Sequence, residues 1–278
     1  MRVVIAGASG LIGTQLSQLC AERGDEVVKL PRLGTAPWSV EGADVLVNLA
    51  GASIAGRRWN AAYKKEIEDS RVLSTRALVE AIAAAARKPR VLVNASAVGF
   101  YGGRGDEPLD ESAPPGDDFL ARVVQAWEAE ARKAAVRSVQ IRTGVVLSER
   151  GGALQQMLLP FKAFVGGPIG RGKQWFPWIH MADEVAAILF CIDRESLSGP
   201  VNLVGPGLVT MKEFAQALGR ALHRPSWAPV PLAALRIAVG EVAEVLASGQ
   251  RAVPRKLLES GFQFRYPELA PALADLLR

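Results

Sequence analysis

The stretch Val3-Val4-Ile5-Ala6-Gly7-Ala8-Ser9-Gly10-Leu11-Ile12-Gly13 decides the fold of this chain. A short apolar β-run leads into three glycines, and a helical pattern over residues 11–23 leads out of them. A strand that turns sharply into a helix needs glycine at the turn. A pyrophosphate lying against that backbone needs a second glycine, and close packing of helix on strand needs a third. The helix N-terminus then meets the anion with free N–H groups and a partial positive charge. Glycine triplets also occur in ordinary βα turns. Here a strand stands before, a helix after and a second β-run (26–30) beyond, which favours dinucleotide binding. Gly7, Ser9, Gly10, Leu11, Ile12 and Gly13 are the cofactor-facing residues on this reading.

Working outward, further short Val-rich strands are expected at 44–48, 90–95 and 138–142, as in buried parallel sheets. Helices are expected at 61–86, 119–135 and 153–160. Alternating βα units of this kind build an α/β Rossmann-type doubly wound parallel sheet, with ligands at the strand C-termini. After Gly151 the rhythm changes. Gly166-Gly167-Pro168 and Gly170-Arg171-Gly172 read as a loop, followed by a helix at 182–194 and a short strand at 201–204. Helices at 211–222 and 232–246 and a tail at 267–277 then make a smaller, mostly helical C-terminal lobe. The expected division is a dinucleotide-binding domain over 1–205 and a second domain over 206–278, with 151–180 contributing to a substrate cleft.

Composition narrows the function classes. Net charge is 33 − 28 = +5, and its basic residues are spread without a dense run, so no nucleic-acid partner is expected. The two cysteines, Cys20 and Cys191, lie in apolar helical patterns and read as free buried thiols of a reducing compartment. With no membrane span and no signal-peptide pattern, a soluble cytoplasmic protein, monomer or homodimer, is expected. Two histidines and two cysteines, widely spaced, make no metal site.

Cofactor choice is read at the tip of the second strand. Val27-Val28-Lys29-Leu30-Pro31-Arg32 carries no acid for the ribose hydroxyls of NAD, and Arg32 suits a 2′-phosphate, so NADP is favoured over NAD. Leu49-Ala50-Gly51, at the end of the third strand, lets backbone approach the cofactor. Arg71 meets either the cofactor phosphates or an acidic neighbour. Arg57-Arg58-Trp59 is either a phosphate-and-ring contact or a tryptophan packed under a loop. Arg171 and Lys173 either clamp an anionic substrate or are solvated. Trp175, Phe176 and Trp178 read as core more than as a platform, and Gln250 and Arg251 as a surface turn that can also reach the cleft.

The chain also resembles the extended short-chain dehydrogenases, the NAD-dependent epimerase/dehydratase family. More narrowly it is similar to an atypical branch with a C-terminal domain of unknown function. The resemblance rests on Arg58-Trp59, Ser70-Arg71, Ser96-Ala97-Val98-Gly99-Phe100-Tyr101-Gly102, Arg142-Thr143-Gly144-Val145-Val146-Leu147, Gly151-Gly152-Ala153-Leu154, Trp178-Ile179-His180 and His223-Arg224-Pro225. It implies a Rossmann domain, a nicotinamide cofactor and an unspecified small-molecule substrate. It also exposes a departure, because active members of the wider family use Tyr-x-x-x-Lys with a nearby Ser or Thr. Aligning Tyr101-Gly102 and Glu128 with the family pattern puts Ala97, Leu120 and Val124 at those three positions, and none exchanges a proton. Tyr63, Tyr101 and Tyr266 are the chain's tyrosines, and none has Lys four residues on. Ser96, Tyr101 and His180 are the candidate substitutes, with Ser96 also a cofactor contact. Two functions follow: an NADP(H)-dependent oxidoreductase or epimerase-like enzyme, or a non-catalytic NADP(H)-binding redox sensor or scaffold.

Overall fold

Alternation along the strands builds two apolar layers from one sheet. The computed structural model describes residues 1–278. Its first half contains β1 (Arg2–Ala6), α1 (Leu11–Glu22), β2 (Glu26–Lys29), β3 (Val45–Asn48), α2 (Ala61–Ala84), β4 (Val91–Ala97), β5 (Pro108–Leu109), α3 (Phe119–Ala131) and β6 (Arg137–Thr143). Then come β7 (Val145–Leu147), α4 (Ala153–Lys162), β8 (Trp178–His180), α5 (Met181–Asp193), β9 (Gly199–Leu203) and α6 (Met211–Leu222). The chain ends with α7 (Leu232–Val239), α8 (Val242–Ala247), β10 (Arg251–Ala252), α9 (Arg255–Glu259) and α10 (Leu269–Leu276). Six strands pair in parallel in the order β2-β1-β3-β4-β6-β9. In register, Ile5, Val47, Val93 and Val139 form one row, and Val4, Leu46 and Leu92 form the next. The first row packs with Leu16 of α1 and Val185 and Ile188 of α5. The second packs with Leu78 and Ile82 of α2. Burial on both faces is why these strands read as continuous apolar runs. After β1 the chain crosses to one face and after β3 to the other, which opens a crevice between their C-terminal ends.

The sheet confirms the Rossmann-type reading, and the differences lie beyond it. The helix expected over 232–246 is two helices, because Gly240 at φ 69° ends α7. A positive φ is open to glycine and breaks helical geometry. Residues 178–180, given no element by the sequence, form β8, which pairs with β7 at Val145↔Trp178 through Leu147↔His180. Such three-residue strands carry too little periodicity to be read. The second lobe's core joins Leu147, Leu154, Phe161 and Trp178 to Phe214, Leu218, Leu273 and Leu276. Leu257 and Phe262 of the later chain return to the core of the main sheet. Both cysteines are buried and free. No helix is long and apolar enough to cross a membrane.

Because each core borrows residues from the other half of the chain, the two should melt together. Phe214→Ala should cost about 3–5 kcal/mol and lower a single calorimetric transition. Two separated transitions would show instead that the lobes are independent.

Candidate functional site

Each glycine of the first turn has its own physical task. Gly7 has φ +77°, and a Cβ on it would stand 2.6 Å from the backbone of Leu49. A Cβ on Gly13 would stand 2.2 Å from the carbonyl oxygen of Gly7, so that residue seats α1 on the turn. Gly10 differs, since a Cβ there meets only the Gly7 oxygen, at 3.3 Å. Gly10 is the N-cap of α1 and has no side-chain cap. The first amides of α1 therefore lack partners from a capping group. Ser9 and Gly10 are exposed, and Leu11 and Ile12 half-buried. Leu11 in turn touches the places where Cβ atoms would stand on Gly151 and Gly152, at 3.5 and 3.1 Å, so the loop before α4 lies over this turn.

The end of β3 is braced from beneath. Asn48 donates to Thr75 (2.9 Å) and Asn94 (2.7 Å), and its own oxygen accepts from the Ala50 amide (3.2 Å). Leu49, Ala50 and Gly51 are thereby carried past the glycine turn. Beside them lies Arg71, whose Cζ is 3.3 Å from where a Cβ on Gly51 would be. Its guanidinium lies over the Trp127 ring at 5.2 Å and donates to the Ile67 carbonyl oxygen at 3.0 Å. Of the two partners open to Arg71, no acidic side chain bonds it, and burial lowers its pKa to about 10. A desolvated cation without a counter-charge is costly, and an anion at Gly51 would relieve that cost. At the tip of β2, Arg32 is exposed, and only its backbone is engaged, accepting from the Thr35 hydroxyl at 2.6 Å.

The candidate proton donors are held elsewhere. Ser96 donates to Glu128 at 2.7 Å. That carboxylate also takes both arms of Arg142, at 2.7 and 2.9 Å, and Arg132 at 2.6 Å. Tyr101 is fully buried; its hydroxyl donates to Asn202 (2.7 Å) and accepts from Arg142 (3.0 Å), and desolvation pushes its pKa up to about 12. His180 is buried, with Nδ1 accepting from the Ala182 amide at 3.1 Å as the cap of α5. Its ring stacks on Tyr266 at 3.9 Å, and burial lowers its pKa. The expectation that Ser96, Tyr101 or His180 replaces the missing acid does not fit these placements. The Ser96 proton goes to Glu128, Tyr101 has no exposed surface, and His180 lines a groove between α1 and α10 with Gln15, Gln18 and Asp275. Leu120 lies against Gly99, 3.8 Å from its Cβ position, at the turn after β4 where the alignment expects the catalytic tyrosine.

The outer candidates divide. Trp59 donates to Ile54 at 2.8 Å and meets Phe119 edge-on at 5.2 Å, while Arg57 pairs with Glu66. Arg58 reaches across to the carbonyl oxygen of Arg236 in α7. Arg171 and Lys173 are exposed. Phe176 packs on Phe214, and Trp178 donates to Gly207, which places both in the second core. Gln250 donates to Gly102 at 3.1 Å, tying the small lobe to the loop after β4. Two groups escaped sequence reading, the half-buried Thr143 and the fully buried Glu184, paired at 2.8 Å. Glu184 shares an apolar helical stripe with Met181, Ile188 and Cys191, and a charge on such a stripe is the signal that marks it.

The glycines give a contrast that tests the site. Gly10→Val should leave the fold intact and abolish dinucleotide binding. Gly13→Val should instead cost at least about 1–3 kcal/mol by overpacking. Urea unfolding beside cofactor titration checks both, and full binding by folded Gly10→Val would make the turn purely structural.

Comparisons with known proteins bear on the chain's family and fold. A model of the NAD-dependent epimerase/dehydratase family matches residues 3–205, and one of a domain of unknown function (DUF1731) matches 230–276. Epimerase family protein SDR39U1 of Mus musculus is 41% identical over 292 residues, covering 100% of this chain and 100% of the relative. Epimerase family protein YfhF of Bacillus subtilis is 38% identical over 299 residues, covering 100% and 98%. The crystal structure of human epimerase family protein SDR39U1 (isoform 2) with NADPH has a TM-score of 0.95 at 38% identity, covering 100% of this chain and 99% of that one.

Proposed function

The chain belongs to the NAD-dependent epimerase/dehydratase family, and on that premise we propose that it is an NADPH-binding oxidoreductase or epimerase-like enzyme acting on a small molecule. The observation that carries this reading is the uncapped α1 N-terminus at Gly10, open where Gly7 and Gly13 are closed. The Leu11 and Ile12 amides would hold the pyrophosphate, the Gly10 amide being donated to the Gly7 carbonyl oxygen at 3.0 Å, with Leu49–Gly51 backbone alongside and Arg71 as a counter-charge. Arg32, exposed and without an acidic partner, would hold the 2′-phosphate. The NADPH in the human relative's crystal structure supports the same choice. When bound, the nicotinamide gives or takes a hydride. The chain's own part is to bind and orient it, and Ala97, Leu120 and Val124 supply no proton there. Buried free thiols suit a cytoplasmic setting.

Those three apolar residues also support a second reading, a non-catalytic NADP(H)-binding protein. Turnover separates the two. Without a positioned acid/base, hydride transfer to common sugar-nucleotide and simple carbonyl substrates should be slower by about 10²–10⁴-fold than proton-assisted transfer. NADPH oxidation across a substrate panel measures this, and robust turnover would exclude the non-catalytic reading.

Cofactor preference is tested separately. Tryptophan fluorescence should report tighter binding of NADPH than NADH. Arg32→Ala should cost about 1.5–3 kcal/mol for NADPH alone. Equal affinities in the unmodified protein would remove the 2′-phosphate assignment.

A further inference from the structure

Glu184 is an ionisable group that the site described above leaves unused. It is completely buried on α5. Its Oε1 is 2.8 Å from Thr143 Oγ1, while Oε2 is buried without a partner. A carboxylate here would be an unpaired buried charge, far costlier than an unpaired carbonyl oxygen. Desolvation accordingly raises the Glu184 pKa to about 8. Thr143 Oγ1 donates to Glu184 Oε1 when that group is a carboxylate; with the acid neutral the bond would reverse, the Oε1 proton going to Thr143 Oγ1. The Thr143 hydroxyl hydrogen then has no acceptor within the protein, and Thr143 is only half-buried.

Position gives that hydrogen a direction. Thr143 ends β6, and its register partner on β4 is Ala97, the residue aligned with the family's missing hydroxyl. Register partners share a face of the sheet, about 4.8 Å apart. This is the face of α1 and α5. With phosphates at the α1 N-terminus and the adenosine end at Arg32 beside β2, the strand order leads the other half of a dinucleotide toward β4 and β6. We propose that Thr143 and Glu184 form a neutral hydroxyl–acid pair that donates a hydrogen bond to the nicotinamide half of the cofactor, at a carbonyl-type acceptor beside Ala97. The inference rests on the dinucleotide reading above.

Few other ionisable groups surround the pair. On α5 they are Asp183, held by the amides of Arg265 and Tyr266, and the thiol of Cys191; His180 caps the same helix. Cys20 comes from α1, while Arg137 of β6 and Lys256 of α9 act on Cys191. β4 and β7 bring none. The raised pKa means that Glu184 is neutral below about 8 and gains charge above it.

The experiment is fluorescence titration with NADPH and with 2′,5′-ADP, which lacks the nicotinamide half. Thr143→Val should weaken NADPH about 3–10-fold and leave 2′,5′-ADP unchanged, and Thr143→Ser should restore NADPH affinity. Affinity of the unmodified protein for NADPH should fall above about pH 8, while Glu184→Gln abolishes that pH dependence. Equal effects of Thr143→Val on both ligands, no effect on either, or the same pH dependence in Glu184→Gln would overturn the proposal. Failure of the unmodified protein to bind either ligand would instead overturn the dinucleotide reading itself. Circular dichroism separates any unfolded variant, and Thr143→Ser then carries the test by keeping or losing NADPH affinity relative to 2′,5′-ADP.

Discussion

A backbone-on-backbone contact organises this molecule. The carbonyl oxygen of Gly7 lies where a Cβ of Gly13 would be, and the Leu49 backbone lies where a Cβ of Gly7 would be. Removing two side-chain atoms lets strand, turn, helix and neighbouring strand close on one another. That closure sets the N-terminus of α1 at the crevice between β1 and β3, where the sheet changes direction. It also presents Leu11 to Gly151 and Gly152, so the entry to α4 takes its position from the same turn.

A second constraint runs beneath the strand ends. Glu128 and Arg142 form a buried bidentate pair that also draws in Ser96, Tyr101 and, through Asn202, the carboxylate of Glu111. Every member has a partner, which is the condition under which such a network holds a structure in one arrangement. Breaking the pair by removing one partner typically costs about 3–5 kcal/mol. The network lies on the α3 side of the sheet. Its completeness engages the hydroxyls nearest the fourth strand, those of Ser96 and Tyr101.

The fold was legible because its signals are local. Glycine spacing, Val-rich runs and helical periodicity each act within a few residues, and both faces of the sheet demand the same apolar content. The cofactor end was legible for a related reason, since a strand, a glycine turn and a helix N-terminus are contiguous in the chain. Where the signal was too short, reading failed: β7 and β8 have three residues each, and one glycine divides the helix expected over 232–246.

What the amino-acid sequence determined by itself is the parallel sheet, the glycine turn, the basic residue Arg32 after the second strand and the fact that no tyrosine has lysine four residues on. Tertiary structure alone decided which side chains are free to act. Ser96 faces Glu128 from 32 residues away, Tyr101 faces Asn202 from 101, and Thr143 meets Glu184 across 41. Hydrogen-bond partners and desolvation depend on what the fold brings within about 3 Å, and no local pattern encodes that. Ser96, Tyr101 and His180 therefore read as candidates in the chain and become braces and a helix cap only once packed.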